Sequence, residues 1–218
     1  MFIGSLVGCC GRKRGTTPSV QTGIMGPYEQ KVSLELALWQ KKMKQRPSLL
    51  NSLSKGIQVR VNAMIPEKVH QVITTAIKQM VKAVLAGSGF INPKPMQAAD
   101  LMTREITARH KITIYRNTAT AEGALTGAGG ILLGFADFPL WLTVKMKMLF
   151  ELAAVYGYDV SDYKERLYIL HIFQLTFYSQ RGRQKTYAIM EHWDHYVTTL
   201  PGSLQGFEWR TFQQEYRD

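Results

Sequence analysis

The side chains best suited to chemistry lie in a short segment near the C-terminal end, with the sequence EHWDH beginning at Glu191. If this segment is helical, His192 and His195 lie about one turn apart. His171 could join them from the preceding helix, with Glu191 or Asp137 as a carboxylate ligand. Such mixed ligands suit zinc or iron, so the segment permits a metal-dependent hydrolase. Neither an HExxH signature nor the paired Glu-x-x-His of di-iron bundles is present, and paired histidines are more often surface or core residues.

Nucleophilic catalysis has even less support in the sequence. No G-x-S-x-G elbow is present. The two cysteines, Cys9 and Cys10, are adjacent, which excludes a disulfide framework and a cysteine-based zinc site. Followed by the basic residues 12–14, they suit dual S-acylation in a eukaryotic cell, and the alternative is an unmodified leader. We therefore expect no catalytic residue and no cofactor, and an enzyme is the less favoured interpretation.

The charge of the chain is distributed unevenly. The net charge is +11; residues 1–118 contain 18 Lys and Arg against 5 Asp and Glu, whereas later residues contain 9 against 11. This asymmetry predicts that one face meets phosphates, from lipid headgroups or from nucleic acid, unless it is simply a solvated helix surface. We favour lipid over nucleic acid because no zinc finger, RRM signature or clear helix-turn-helix is present.

Apolar residues recur at spacings of three and four along the chain after residue 26, and no segment alternates as a strand does. The clearest amphipathic helix follows Pro66 and ends at Gly87. Its predicted apolar face contains Val69, Val72, Ile73, Ala76, Ile77, Met80 and Val84. Further helices are expected over residues 100–116, 139–157 and 183–200. We predict a disordered leader at 1–26, followed over 27–218 by a single all-α domain of about seven helices.

A glycine-rich apolar stretch over residues 122–139 is the most distinctive part of the second half. On a helix, glycines at spacings of four, three and four would share one face and let another backbone approach closely: Gly123, Gly127, Gly130 and Gly134. Asp137 and Pro139 argue against a full membrane span. We predict a central helical hairpin that turns at these two residues and dips into one leaflet beside Trp141. The alternatives are a tight helix crossing inside a core and packing against a second copy.

Several motifs along the chain together resemble the EcsC family. They are residues 127–130 with 136–139, Glu165-Arg166, Tyr28-Glu29 with Trp39, 65–68 and 212–216, and the family motif Tyr156, Gly157, Tyr158 and Asp159. The resemblance covers about residue 28 to the end. It implies a membrane-linked role, since the namesake of the family is encoded beside an ABC transporter, and it supplies no agreed catalytic residues. Similar proteins continue with a further helical segment, so we expect a C-terminally truncated domain.

These observations favour a cytoplasmic, non-catalytic protein that lies peripheral to the membrane. The expected partner is an anionic lipid surface or a membrane protein linked to a transporter, and the glycine face could also support an oligomer. Two alternatives stay open. One is a metal-dependent hydrolase that uses His192 and His195, and the other is a helical module that binds nucleic acid.

Overall fold

The computed structural model describes residues 26–45, 67–87, 93–126, 138–177 and 180–202. Every regular element within these ranges is an α-helix, so the predicted all-α fold is confirmed. The helices are α1 (Pro27–Lys44), α2 (Glu67–Ala86), α3 (Leu101–Thr126), α4 (Phe138–Val155), α5 (Tyr163–Phe177), α6 (Gln180–Glu191) and α7 (Trp193–Thr199). The turn of the predicted glycine-rich hairpin begins at Asp137, which lies outside the described residues.

Local sequence signals explain where several helices begin and end. Pro27 occupies the first turn of α1, where its missing N–H costs nothing, and the Gly26 N–H donates to the Glu29 carboxylate at 3.1 Å. Asp100 precedes α3 and accepts a hydrogen bond from the Thr103 N–H at 2.9 Å. Gly87 ends α2 with a φ of +71°, a conformation that glycine adopts without strain. Helix α1 therefore begins, and α2 ends, where the sequence predicts.

The core is built around α4 and α5. Helix α4 packs against α2, α3 and α5, and α5 also packs against α2 and α6. Their shared interior includes Met146, Phe150, Leu167 and Leu170, which are all fully buried. Helices α1 and α7 pack against α6. The nearly all-apolar α5 is thus explained by its central position in the protein core.

Three details differ from the sequence-based expectations. The helix predicted over residues 183–200 is two helices, because His192 leaves the helical conformation and Trp193 turns into the core. Helix α3 continues ten residues beyond its predicted end at residue 116. On α2, Ala76, Met80 and Val84 are buried as predicted, whereas Val72 is 44% exposed. Periodicity identifies an apolar face, but only the packing partner decides how much of it is covered.

Candidate functional site

The family motif at residues 156–159 forms the turn that ends α4. Gly157 has a φ of +90°, and its N–H donates to the Ala154 carbonyl at 2.9 Å, while the Tyr158 N–H donates to the Ala153 carbonyl at 3.0 Å. This pair of bonds is a Schellman motif, which requires a left-handed residue at this position. Asp159 then accepts hydrogen bonds from both the N–H and the hydroxyl of Ser161. The motif therefore has a clear structural role as a helix terminus.

The half-buried side chain of Arg104 holds this turn in place. The Arg104 guanidinium donates to the carbonyls of Val155 at 2.6 Å, Ala99 at 3.0 Å and Met96 at 3.0 Å. A Cβ at Gly157 would lie only 3.2 Å from this guanidinium. Glycine is therefore required here both by its φ and by the close approach of Arg104.

A second arginine secures the end of α2 in the same way. Arg166, only 8% exposed, donates to the Leu85 carbonyl at 2.9 Å and the Ser161 carbonyl at 2.8 Å. A Cβ at Gly87 would lie 3.0 Å from its guanidinium. Burial lowers the pKa of Arg166, although the nearby carboxylates of Asp162 and Asp159 oppose that shift. We call these two arrangements the arginine–glycine turns.

Two carboxylates join α3 to α4 in a half-buried polar network. Glu151 accepts hydrogen bonds from Lys111 at 2.8 Å and from the Tyr115 hydroxyl at 2.7 Å. Burial raises the pKa of Glu151, but the hydrogen bonds from Lys111 and Tyr115, together with the charges of Lys111 and Lys147, outweigh burial and the net shift is downward. Glu105 similarly accepts from the Tyr156 hydroxyl at 2.5 Å, and burial followed by this bond raises the pKa of Tyr156. These hydrogen bonds pair the half-buried carboxylates of α3 and α4 with donors from α3 and from the turn that follows α4.

The three histidines of the predicted cluster differ in burial, although the His171 ring lies edge-on to the Trp193 ring at 5.5 Å. His171 is 1% exposed, with Nδ1 2.8 Å from the Leu167 carbonyl, and burial lowers its pKa to about 4. His192 and His195 are exposed, and Glu191 pairs with Lys44 at 2.5 Å. Within the ranges that the structure describes, no three His, Cys, Asp or Glu side chains are placed to hold a metal ion. The metal site stays a prediction, since its remaining ligand candidate, Asp137, lies outside those ranges.

The glycine-rich stretch is described only at its two ends. Gly123 lies in the backbone of α3, and Pro139 and Trp141 lie in the first turn of α4. Outside the described residues lie Gly127, Gly130, Gly134, Asp137, Cys9 and Cys10. The predicted close-packing face and the predicted lipidation of the cysteines therefore stay predictions.

The described start of α4 combines apolar exposure with a cation. Leu140 is 53% exposed, and the Phe138 and Trp141 rings stack with their centroids 5.8 Å apart. The Lys145 ammonium lies 5.7 Å from the centroid of the Trp141 ring, within reach of a cation–π interaction. Tryptophan, leucine and lysine in this combination are typical of segments at a membrane–water interface.

The sequence profile of the EcsC protein family matches residues 30–218 of this chain. The chain belongs to the EcsC family. It is 42% identical over 181 residues to Protein EcsC of Bacillus subtilis (strain 168), which covers 83% of this chain and 74% of that protein. It is 28% identical over 172 residues to the uncharacterized protein YdbA of the same organism, covering 78% of this chain and 60% of YdbA. No solved structure matches the chain significantly.

This EcsC-family chain also has a surface that sequence reasoning missed. On α1, Leu34 is 63% exposed and Leu38 is 60% exposed, although both lie beside the core-facing Leu36 in sequence. Lysines flank them on the same side of the helix. The spacing of four between the two leucines indicates a second apolar face on α1, but the longer apolar stripe through Trp39 is the stronger feature of the sequence.

None of the helices in the described part of the EcsC-family chain is both long enough and apolar enough to cross a membrane.

Proposed function

We propose that this EcsC-family protein is a non-catalytic helical protein that associates peripherally with anionic membrane surfaces. The observation that carries the proposal is the start of α4, where Leu140 is 53% exposed and Lys145 lies over the indole of Trp141. The Phe138 and Trp141 rings stack on each other and are half-buried against the core. Leu140 would bury apolar area at the level of the headgroups, the half-buried indole would lie next to that level, and Lys145 would meet lipid phosphates.

The surface charge supports the same proposal. The described side chains include ten exposed Lys and Arg but only five exposed Asp and Glu. Each basic residue near an anionic leaflet contributes about 1 kcal/mol, and this attraction weakens as salt screens it. Apolar insertion at Leu140 would add a contribution that resists salt. Binding should therefore have an electrostatic contribution that salt weakens and an apolar contribution that salt does not weaken.

Vesicle sedimentation tests the proposal. The protein is mixed with vesicles of phosphatidylcholine alone, or with phosphatidylserine added, at low and high salt. We expect binding to the anionic vesicles that is weakened but not abolished by salt. Leu140→Glu should weaken that binding about tenfold, because roughly 1.4 kcal/mol of apolar burial is lost. Thr198→Glu introduces the same charge at an exposed position of α7 and should have a smaller effect.

Absence of binding to anionic vesicles at either salt concentration would refute the proposal. Binding that high salt removes completely, and that Leu140→Glu and Thr198→Glu weaken equally, would refute the role given to the start of α4. Circular dichroism of each variant shows whether the helical fold is retained, which is expected because both positions are exposed.

A further inference from the structure

Helix α1 has two apolar stripes on opposite sides. The inner stripe packs on the core, with Trp39 7% exposed and edge-on to the Tyr187 ring at 5.6 Å. Leu36 packs against the same cluster. At 100° per residue, Leu34 and Leu38 lie about 160° and 200° around the helix from Leu36. They therefore point away from the core, and their 63% and 60% exposure agrees with that geometry.

Three lysines flank the outer leucines. By the same helical geometry, Lys41 lies on one side of the pair, and Lys31 and Lys42 lie on the other. All three are exposed, and none forms an ion pair within the described part of the chain. Lys44, on the flank of the helix, instead pairs with Glu191 at 2.5 Å. We call Lys31, Leu34, Leu38, Lys41 and Lys42 the outer face of α1.

We infer that the outer face of α1 binds an anionic lipid surface, with the helix axis parallel to the membrane. This inference rests on the proposed function and gives the membrane a second contact, separate from the start of α4. The leucines would lie at the boundary between headgroups and acyl chains. The lysine stems would extend along that boundary and place their ammonium groups at the lipid phosphates.

The composition of the outer face favours lipid over other anionic partners. A nucleic-acid backbone is bound by cations and hydrogen-bond donors, whereas the centre of this face is two leucines. A stable protein interface buries roughly 1,000 Å² or more and is depleted in lysine, which a patch of two leucines between three lysines does not match. Glu35, the acidic residue nearest to this face, is half-buried at its margin.

The experiment places a polarity-sensitive fluorophore on α1. Because Cys9 and Cys10 are the only cysteines, a Cys9→Ser/Cys10→Ser background allows one label at Leu38→Cys. A second protein carries the label at Thr198→Cys, an exposed position of α7. Each is titrated with phosphatidylserine-containing vesicles, with phosphatidylcholine vesicles and with a DNA duplex. We expect a blue shift and quenching by headgroup-level quenchers at position 38 with the anionic vesicles alone, and little change at position 198.

Matched pairs of substitutions then test the leucines and lysines separately. Leu34→Gln/Leu38→Gln is compared with Met102→Gln/Ile106→Gln on α3, where the side chains are 53% and 60% exposed. Lys41→Gln/Lys42→Gln is compared with Lys78→Gln/Lys82→Gln on the exposed side of α2. The α1 lysine pair should weaken vesicle binding about 25-fold, from about fivefold for each lysine. The control pairs should each have a clearly smaller effect.

The outcomes separate this inference from the proposed function. If the unmodified protein binds anionic vesicles while the label at position 38 stays in water, the inference is wrong and the proposed function stands. Equal losses in the α1 and control pairs would also overturn it, in favour of diffuse electrostatic attraction. A spectral shift at position 38 with DNA but not with vesicles would assign the face to nucleic acid instead. If the unmodified protein binds no vesicles, the proposed function itself fails.

Discussion

The arginine–glycine turns hold one buried and one half-buried arginine against backbone carbonyl groups, whereas the outer face of α1 exposes two leucines to water. Arg166 is 8% exposed and Leu34 is 63% exposed, the reverse of what their polarity alone would suggest. The arginine is explained by the carbonyl groups at helix ends, which need donors once water is excluded. Leu34 and Leu38 do not belong to the hydrophobic core of the described residues, and the membrane contact proposed above is what would bury them.

This difference separates what maintains the fold from what could bind a partner. The family motif at residues 156–159 belongs to an arginine–glycine turn, where its backbone N–H groups bond to the last carbonyl groups of α4. The outer face of α1 contributes nothing to the described core. Substitutions in the interior should therefore change stability, and substitutions on the outer face should change binding alone.

The largest expected effect concerns the buried His171. Burial lowers its pKa in the folded protein to about 4, against about 6.5 in the unfolded chain. Between these two pH values the unfolded chain binds more protons, so stability should be full above about pH 6.5 and fall as the pH approaches 4. The loss should be about 3 kcal/mol, measured by urea denaturation at several pH values. His171→Leu should lose less stability over this window, and an unchanged pH dependence would contradict the assignment.

A smaller effect is expected at the turn after α4. Gly157→Ala forces a side chain into a conformation with a φ of +90° and brings its Cβ within 3.2 Å of Arg104. We expect thermal denaturation to show about 2 kcal/mol of lost stability, from the left-handed conformation and the close contact. Gly202→Ala is the control, because nothing lies within 4 Å of a Cβ at that position. Equal effects of the two substitutions would show that the turn does not require glycine.

The smallest effect on stability should come from the outer face of α1. Leu34→Gln/Leu38→Gln replaces two side chains that are already mostly in water, so the free energy of unfolding should change by less than about 0.5 kcal/mol per residue. Urea denaturation of this variant gives the value. A loss of about 2 kcal/mol or more would mean that these leucines pack against the protein and would remove the contrast with the arginine–glycine turns.

The sequence by itself determined the helices and many of their ends. Apolar spacings of three and four predicted α2, the helix expected over residues 139–157 corresponds to α4, and Gly87 and Gly157 marked ends that the structure confirms. These features are local, because periodicity, proline and left-handed glycine act within a few residues of the chain. The resemblance to the EcsC family was likewise carried by short motifs, and the family match confirms it.

The tertiary structure decided which groups meet. It paired Arg104 with the end of α4 and Arg166 with the end of α2, contacts that join residues 51 and 81 positions apart in sequence. It also buried His171, left His192 exposed and left Leu38 facing water. Helical periodicity groups residues on a face, but it does not state which face another helix will cover. That depends on how all the helices pack together, because a face is buried only where another element removes it from water.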